Sequence, residues 1–342
     1  MTDTIEFTKL SGSGNDFICI DNRDGRYDAL LADGPEAAER AATFARALCS
    51  RGHGIGADGV IFASRPDDTG VADIAARFLE SDGSDCELCG NGTACFVHWV
   101  VCKGWVPIHR VIARPGPPGH FKDDVREGKV GIRILTRAGV VLGQDLDECS
   151  HTDPCGSYVR VCIPLPQNLR MGLDIRAGTH RLACDYVETG IPHVVTYVED
   201  IEQAAVPTLG PLLRHHDEFQ PRGANANFVQ VLREGEIALR TFEFGVEGET
   251  LACGTGSAAA AILAALRHDW PEEYTTGRKA IRVCTRGGDV LRVYFAMERN
   301  AEGEALVSDA CLETVVRRIF HGQAHEELVR RAWGAVPAAA EA

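Results

Sequence analysis

The same six-residue phrase occurs twice in this chain, as CGNGTA at residues 89–94 and as CGTGSA at residues 253–258. The two copies begin 253 minus 89, or 164, residues apart. This spacing is too long for a solenoid repeat and fits two homologous domains of one chain. Small and apolar residues follow each copy, which indicates a helix that begins near the cysteine.

A cysteine at the start of a helix lies in a distinctive electrostatic environment. Unpaired backbone N–H groups and the positive end of the helix dipole stabilise an anion there, so the thiolate is favoured. The glycines allow close approach of a ligand, and the same N–H groups are suited to holding a carboxylate. One copy alone is weak evidence, because small residues also open helices for packing reasons.

Two copies in homologous domains indicate a pair of opposed thiols. We expect a cleft between the domains, with Cys89 and Cys253 on opposite sides of one bound molecule. A two-base racemase needs this arrangement, because one thiolate removes the Cα proton and the other thiol protonates the opposite face. Such chemistry requires no cofactor, and we predict none.

The rest of the pattern predicts a mixed α/β chain. Strands are expected within 5–21 on both sides of a Gly-rich loop, and at 60–63, 74–78, 128–142, 158–163, 194–198, 228–232, 237–242, 281–285 and 290–295. Helices are expected at 35–49, 96–101 and 257–266, with a helix and tail at 323–342 and a surface loop at 114–120. The predicted division is an N-terminal half 1–142, a linker or edge loop 143–157, a C-terminal half 158–322 and an extension 323–342.

Composition excludes several classes of protein. With 342 residues, 45% hydrophobic and 25% charged, the chain is of ordinary globular composition and long enough for about two domains. Its net charge of −14 argues against nucleic acid and anionic membranes as partners. No apolar run approaches the roughly 18 residues of a membrane span, and no signal peptide is evident near the first residue. Thirteen cysteines without regular spacing favour mostly reduced thiols and a cytoplasmic protein.

Other cysteine and glycine patterns have competing interpretations. Cys86-x-x-Cys89 with Cys95 has zinc-like spacing, but no second Cys-x-x-Cys occurs, and the second phrase lacks the partner that a redox pair needs. His151 between two cysteines is metal-like in spacing only, and we predict no metal site. The pair Gly12-x-Gly14 is too short for a dinucleotide fingerprint.

Further motifs accompany the two phrases between Phe7 and Gly322. They are FTK at 7–9, GNDF at 14–17, GIGADG at 54–59, SDGS at 81–84, GIPH at 190–193, AN at 224–225, EFG at 243–245 and GET at 248–250. With this set the chain resembles the diaminopimelate epimerase family, cofactor-independent epimerases that use two cysteines. The resemblance implies two pseudo-symmetric α/β (α+β) domains, each a curled, mostly antiparallel sheet around a central helix, with N-terminal strands able to exchange between halves.

The resemblance also implies roles for individual residues. Cys89 and Cys253 match the acid/base pair. Two further residues match groups that tune the cysteines, namely His193 and Glu243, and Glu243 also matches the partner of the α-amino group. Substrate-binding positions are matched by Asn15, Gly90, Asn91, Asn225, Glu243, Phe244, Gly254 and Thr255.

Three positions depart from the family pattern. Glu80 and Ile191 stand where the family usually has Asn, and Phe244 stands where it usually has Arg. All three would contact the end of diaminopimelate remote from the reacting carbon. Phe cannot replace bidentate recognition of a carboxylate by Arg, and a Glu there would repel one.

The expected activity is therefore inversion of an amino-acid Cα, with LL- to meso-diaminopimelate conversion, a step of lysine and peptidoglycan biosynthesis, as the family default. A racemase for another amino acid such as histidine is the alternative that Glu80, Ile191 and Phe244 favour. A non-catalytic binding protein of the same fold is the alternative class. The expected partner is a small amino-acid substrate, and the sequence leaves open whether the chain forms a homodimer.

Overall fold

A computed structural model of the protein describes residues 4–106, 131–146, 156–299 and 305–334. The chain divides into two compact units. The first unit contains the described residues 4–106, 131–146, 156–159 and 316–334, and the second contains 160–299 and 305–315. Each unit carries one of the two cysteine phrases.

The first unit alternates strands with helices. Its helices are α1 (Asp28–Leu31), α2 (Pro35–Cys49), α3 (Gly90–Cys102) and α7 (Glu326–Ala332). Its strands are β1 (Glu6–Gly12), β2 (Asn15–Asp21), β3 (Gly59–Ser64), β4 (Ile74–Glu80), β5 (Asp85–Cys86), β6 (Ile132–Thr136), β7 (Gly139–Asp145) and the start of β8 (Ser157–Cys162).

Most elements of the second unit follow in the order of the first, without a counterpart of α1 and with one short helix, Glu272–Thr275, in addition. Its helices are α4 (Val206–Arg214), α5 (Gly254–Arg267) and α6 (Glu272–Thr275). Its strands are β9 (Gln167–Ala177), β10 (His180–Glu188), β11 (Pro192–Tyr197), β12 (Asn225–Arg233), β13 (Glu236–Glu243), β14 (Gly248–Thr250), β15 (Ile281–Thr285), β16 (Val290–Arg299) and most of β17 (Ala305–Gln323).

The strand pairings of the two units correspond one to one. The parallel pairs β2–β3 and β4–β6 of the first unit correspond to β11–β12 and β13–β15 of the second. Antiparallel pairs surround them in both units, so each sheet is mostly antiparallel, as predicted. The internal repeat seen in the sequence is thus a repeat of topology.

The helix after each cysteine packs against the sheet of its own unit. Helix α3 contacts β1, β2, β3 and β7, and helix α5 contacts β10 to β13, β15 and β16. Eleven residues of each helix are buried. Both helices have apolar residues on all sides, as is typical of a helix surrounded by the rest of the protein. The alanines of α5 let the strands approach it closely. The predicted central helix of each domain is confirmed.

The sequence pattern missed the short strands β5 and β14 and three longer ones. Strands β9 and β10 were not predicted, and most of β9 is exposed and lacks clean alternation. Strand β17 was also missed, because the buried Asp309 and Glu313 interrupt its apolar pattern. Its last part, 316–323, pairs antiparallel with β1. The second compact unit ends at residue 315, and the predicted bounds of the two halves stay a prediction.

Some predicted features lie outside the described residues, namely the loop at 114–120, most of the segment 143–157 and the tail after residue 334. Of the cysteines within the described ranges, ten carry free thiols and Cys102 is disulfide-bonded. In the ranges that the structure covers, no helix is both long and apolar enough to cross a membrane.

Candidate active site

Both phrase cysteines cap the helices that follow them. Cys89 is the N-cap residue of α3, with extended φ and ψ of −124° and 118°, and Cys253 is that of α5, with −117° and 114°. The Gly92 N–H donates to Cys89 Sγ at 3.4 Å, and the Gly256 N–H donates to Cys253 Sγ at 3.3 Å. Each sulfur therefore takes the place of the hydroxyl or carboxylate oxygen that usually caps a helix.

The third residue of each helix has to be small. A Cβ at Gly256 would lie 2.6 Å from Asn227 Oδ1 and 3.1 Å from Cys253 Sγ. A Cβ at Gly92 would lie 3.3 Å from both Cys89 Cβ and the ring of Phe78. These glycines let the backbone N–H reach the sulfur, which explains the second Gly of each phrase.

A chain of hydrogen bonds links Cys253 to a buried histidine. Thr255 Oγ1 lies 3.6 Å from Cys253 Sγ and 3.1 Å from His193 Nε2. The Asn227 amide lies 3.2 Å from His193 Nδ1 and is held in place by Val194 O and Asn225 O. Since the amide nitrogen donates, Nδ1 accepts and Nε2–H donates to Thr255. The Thr255 hydroxyl hydrogen is then free to point at the sulfur.

Burial lowers the pKa of His193 to about 3. The imidazole is therefore neutral at physiological pH, which agrees with the tautomer that its neighbours require. His193 reaches Cys253 only through Thr255, so it positions the hydroxyl and holds no mobile charge beside the sulfur. The prediction that His193 tunes the cysteine stays a prediction, and the structure supplies this indirect contact for it.

Opposing influences act on Cys253. Burial raises the pKa of its thiol well above the ordinary value, and the negative charge of Glu243 raises it further. The Thr255 hydroxyl and the Gly256 N–H act in the opposite direction, because they donate to the thiolate. Glu243 also accepts a hydrogen bond from the Thr250 hydroxyl. The raised pKa favours the thiol form of Cys253.

The start of α3 has an amide network in place of the histidine. Asn91 Nδ2 donates to Asn15 Oδ1 at 2.6 Å, and Asn15 Nδ2 donates to Asp58 Oδ2 at 3.3 Å. Arg51 bridges Asp16 and Asp58 at 2.7 and 2.8 Å. The structure thus brings together two predicted substrate-binding residues, Asn15 and Asn91, beside Cys89.

A third thiol lies near Cys89. Burial raises the pKa of Cys86, and the charges of Cys89 and Glu80 raise it further. Burial also raises the pKa of Glu80, although a hydrogen bond from Cys86 opposes the shift. Glu80 ends β4 and Glu243 ends the corresponding strand β13, so the two glutamates occupy equivalent positions.

Two buried amide atoms near the cysteines have no protein partner among the described residues, namely Asn91 Oδ1 and Asn225 Nδ2. Asn225 Oδ1 accepts from the Phe244 N–H at 2.7 Å, which leaves its amide nitrogen unsatisfied. An unpaired buried amide is costly and is normally satisfied by water or a ligand. These atoms are the clearest ligand-directed polar groups of the two helix starts.

The departures from the family pattern have distinct surroundings. Phe244 is 60% exposed, and the buried guanidinium of Arg214 lies 4.3 Å from the centre of its ring. In the second unit the parallel pairing of β11 with β12 begins at His193, opposite Asn225, and Ile191 lies two residues before His193. In the first unit the corresponding pairing of β2 with β3 begins at Phe17, opposite Gly59, and Asn15 lies two residues before Phe17. Ile191 is therefore the counterpart of Asn15. The amide found in the first unit is absent from this place in the second.

Sequence reasoning missed several contributors. Asn227 orients His193, Thr189 Oγ1 donates to Thr255 O at 3.0 Å, and Asp58 orients Asn15. Asn227 could have been found, because it lies two residues after Asn225 on one strand and therefore on the same face. Gly90 and Gly254 lie at the first helical position of α3 and α5, as predicted.

A family model and the sequence relatives indicate the same family. A family model described as diaminopimelate epimerase matches residues 7–112 and 185–304. The diaminopimelate epimerase of Aquifex aeolicus is 34% identical over 95% of this chain and 99% of its own length. That of Methanothrix thermoacetophila is 36% identical, over 91% of this chain and 99% of its own.

Solved structures share the fold at low identity. A hydroxyproline epimerase from Agrobacterium vitis has a TM-score of 0.64 at 14% identity, over 94% of this chain and 90% of its own. A probable proline racemase from Agrobacterium radiobacter has a TM-score of 0.62 at 15% identity, over 93% and 92%. At this identity the likeness concerns the fold alone.

Proposed function

The chain belongs to the diaminopimelate epimerase family, and on this premise we propose that it is an isomerase that inverts an amino-acid Cα with Cys89 and Cys253 as its two acid/base groups. The observation that carries the proposal is the repeated cap. Each cysteine accepts a hydrogen bond from the N–H three residues later, at the start of an enclosed helix. No other cysteine among the described residues caps a helix.

The inversion needs one thiolate and one thiol. The thiolate removes the proton from Cα, and the electron pair of that bond moves into the adjoining carboxylate. The opposing thiol then delivers its proton to the other face of Cα, so the pair ends with its protonation states exchanged. Return to the starting state needs exchange with solvent or turnover in the reverse direction.

The two helix starts stabilise the charge that develops. N–H groups at a helix start favour an anion, and Gly90, Asn91, Gly254 and Thr255 provide those groups. The unsatisfied Asn91 Oδ1 and Asn225 Nδ2 supply an acceptor and a donor for the substrate. Glu243 would pair with the α-ammonium group. That pairing would also diminish the repulsion between Glu243 and a Cys253 thiolate, so binding would ease ionisation of the sulfur.

The first candidate substrate is LL-diaminopimelate, which would be converted to the meso form. Family membership and relatives that align over nearly their full length support it. A second candidate, another amino acid such as histidine, rests on Phe244, whose exposed ring stands where the family has Arg. Glu80 and Ile191, which stand where the family usually has Asn, are further differences from the family pattern. A cationic or aromatic side chain suits these groups better than a second carboxylate.

The experiment that decides is Cα proton exchange in deuterium oxide with a panel of L-amino acids. LL-diaminopimelate, histidine, lysine, ornithine and glutamate would each be incubated with the protein, and deuterium incorporation and inversion followed by mass spectrometry and chiral chromatography. Turnover of diaminopimelate alone would establish the first candidate. Turnover of histidine, lysine or ornithine without turnover of diaminopimelate would establish the second.

The alternative class, a binding protein without catalysis, is tested by the same assay. No inversion of any amino acid that binds would support it. Inversion that disappears on replacement of Cys89 or Cys253 would exclude it.

A further inference from the structure

Two free thiols face each other in the second unit, where strand β8 pairs with strand β17. Cys162 Sγ of β8 lies 3.6 Å from Cys311 Sγ of β17. One residue after β8, the Ile163 N–H donates to Ala310 O of β17 at 3.1 Å. The contacts advance along one strand as they go back along the other, so the strands run antiparallel and the two cysteines occupy opposed positions.

Opposed positions on antiparallel strands suit a disulfide. In such a pair the two Cα atoms are about 4.5–5.5 Å apart, and a disulfide usually spans about 4.4–6.8 Å between its Cα atoms. The backbone of β8 and β17 therefore already has the spacing that an S–S bond requires. The sulfur atoms have to approach from 3.6 Å to about 2 Å, which rotation of the two side chains provides.

A buried ion pair holds the two strands in register beside the thiols. Arg160 Nε of β8 donates to Glu313 Oε1 of β17 at 3.0 Å, and both side chains are almost completely buried. Arg160 lies two residues before Cys162 and Glu313 two residues after Cys311, so all four side chains share one face of the sheet. The thiols are thus fixed between this ion pair and the backbone hydrogen bond that follows β8.

The two thiols differ in exposure, which sets the order in which they react. Cys162 is half-buried, whereas Cys311 is completely buried. The hydrogen bond with Cys162 and burial both raise the pKa of the Cys311 thiol. Cys311 therefore keeps its proton and donates its S–H to Cys162 Sγ. A reagent from solvent meets Cys162 first, and Cys311 is placed to attack the product.

We propose that Cys162 and Cys311 form an oxidation site, which a small hydroperoxide such as hydrogen peroxide converts into a reversible disulfide between β8 and β17. The Cys162 thiolate attacks one peroxide oxygen, the O–O bond breaks, and the other oxygen leaves as water, so that Cys162 carries a sulfenic acid. Cys311 then loses its proton and attacks Cys162 Sγ, and the S–O bond breaks as a second water leaves. The two thiols lose two electrons, and one hydrogen peroxide becomes two molecules of water.

The test detects the disulfide by peptide mass spectrometry. The full chain is treated with a small excess of hydrogen peroxide, quenched in acid, alkylated with N-ethylmaleimide and digested with trypsin. Cleavage after arginine leaves Cys162 as the one cysteine of peptide 161–170 and Cys311 as that of peptide 300–317. The two peptides are expected joined, and separate after reduction. If both carry N-ethylmaleimide when the half-buried Cys284 is already oxidised, the proposal is overturned.

Single variants test the order of the two steps. In Cys311→Ala, dimedone, which captures sulfenic acids, is expected to label Cys162 after peroxide treatment, because no thiol remains to displace the hydroxyl group. In Cys162→Ala, the buried Cys311 is expected to stay unlabelled. Label on Cys311 and none on Cys162 would overturn the assigned order. Cys184→Ala, which removes another fully buried thiol of this unit, is the matched control and should leave the joined peptides unchanged.

A second readout is the stability of the full chain. The disulfide closes a loop of 311 minus 162, or 149, residues, which restricts the unfolded chain. The peroxide-treated chain is therefore expected to unfold at a higher urea concentration than the untreated chain, whereas Cys162→Ala should show no such increase after the same treatment. An unchanged or lower midpoint in the unsubstituted chain would show that the bond does not join β8 to β17 in the folded protein. If a variant fails to fold, the joined peptides of the unsubstituted chain decide.

The oxidation site should act independently of the proposed epimerisation, because it uses neither of the capping cysteines. In a Cys89→Ala, Cys253→Ala double variant the joined peptides are expected in unchanged yield. Their loss would show that the disulfide arises by exchange with those thiols and would overturn the proposal. A failed epimerase assay would leave the measurement at Cys162 and Cys311 unaffected.

Discussion

The two cysteine-capped helix starts have the same backbone and different surroundings. In both, the sulfur accepts from the N–H three residues on. Cys253 is 5% exposed and lies beside Thr255, which connects it to a neutral His193. Cys89 is less buried and lies next to an amide network that ends at Asp58. The cap is common to both helix starts, whereas the residues beside each thiol differ.

The largest expected effect concerns the capping cysteine that both helix starts share. Cys89→Ala and Cys253→Ala should each reduce inversion by about 10²–10⁴-fold, because a positioned acid or base contributes that much. The measurement is the initial rate on the substrate found in the deuterium panel. Cys284→Ala, a half-buried free thiol on β15, is the control and should retain activity. A fully active variant of either phrase cysteine would contradict the two-base mechanism.

The next effect concerns packing. Gly256→Ala should destabilise the protein by about 1–3 kcal/mol, since its Cβ would overlap Asn227 in a packed site. Gly90→Ala is the contrasting variant, because nothing lies within 4 Å of its Cβ, and it should be neutral or raise the free energy of unfolding by up to about 1 kcal/mol. Urea unfolding monitored by circular dichroism measures both. Equal changes would refute the packing argument.

A smaller effect tests the difference in surroundings. Thr255→Val removes a donor to the Cys253 thiolate, so the pKa of that thiol should rise and kcat/KM should fall about tenfold at neutral pH. The rise of kcat/KM with pH, on the acidic side of the profile, should move to higher pH, because Cys253 must lose its proton to act as the base. Thr255→Ser keeps the hydroxyl and should restore most of the rate. An unshifted pH profile in Thr255→Val would show that the hydroxyl does not act on the sulfur.

The smallest effect concerns charge. Because the negative Glu243 raises the pKa of Cys253, Glu243→Gln should lower it. Cys253 should then react a few times faster with iodoacetamide at a given pH, as followed by peptide mass spectrometry. Glu236→Gln, beside Cys284, should leave the rate at Cys253 unchanged and increase that at Cys284. A slower reaction of Cys253 in Glu243→Gln would reverse the assigned sign.

Much of the fold could be predicted from the sequence, because the repeated phrases, the apolar patterns and the helix-start residues indicated the same elements. The two phrases predicted both helix starts, and Pro35 marked the beginning of α2. Strand β17 could not be predicted in the same way. Its buried Asp309 and Glu313 look like surface residues in sequence, and only the structure shows Arg160 Nε donating to Glu313 Oε1 at 3.0 Å.

The site was predictable at the level of residues but not of contacts. Asn15 and Asn91, 76 positions apart, were both predicted, yet their hydrogen bond depends on how β2 and α3 pack. The indirect link from His193 to Cys253 depends on the β11–β12 register, which places His193 opposite Asn225. Such long-range pairings are set by tertiary structure and leave no periodic trace in the chain.

The strand segment that pairs with β1 comes from a different part of the chain than the strand that pairs with its counterpart β10. In the second unit, β10 pairs with β9, which directly precedes it in the chain. In the first unit the same place beside β1 is taken by residues 316–323 from the opposite end of the chain, where Ala324 N–H donates to Ile5 O at 2.9 Å. The same place in the two repeats is therefore filled in different ways, by the preceding strand of a local hairpin in the second unit and by a segment distant in sequence in the first.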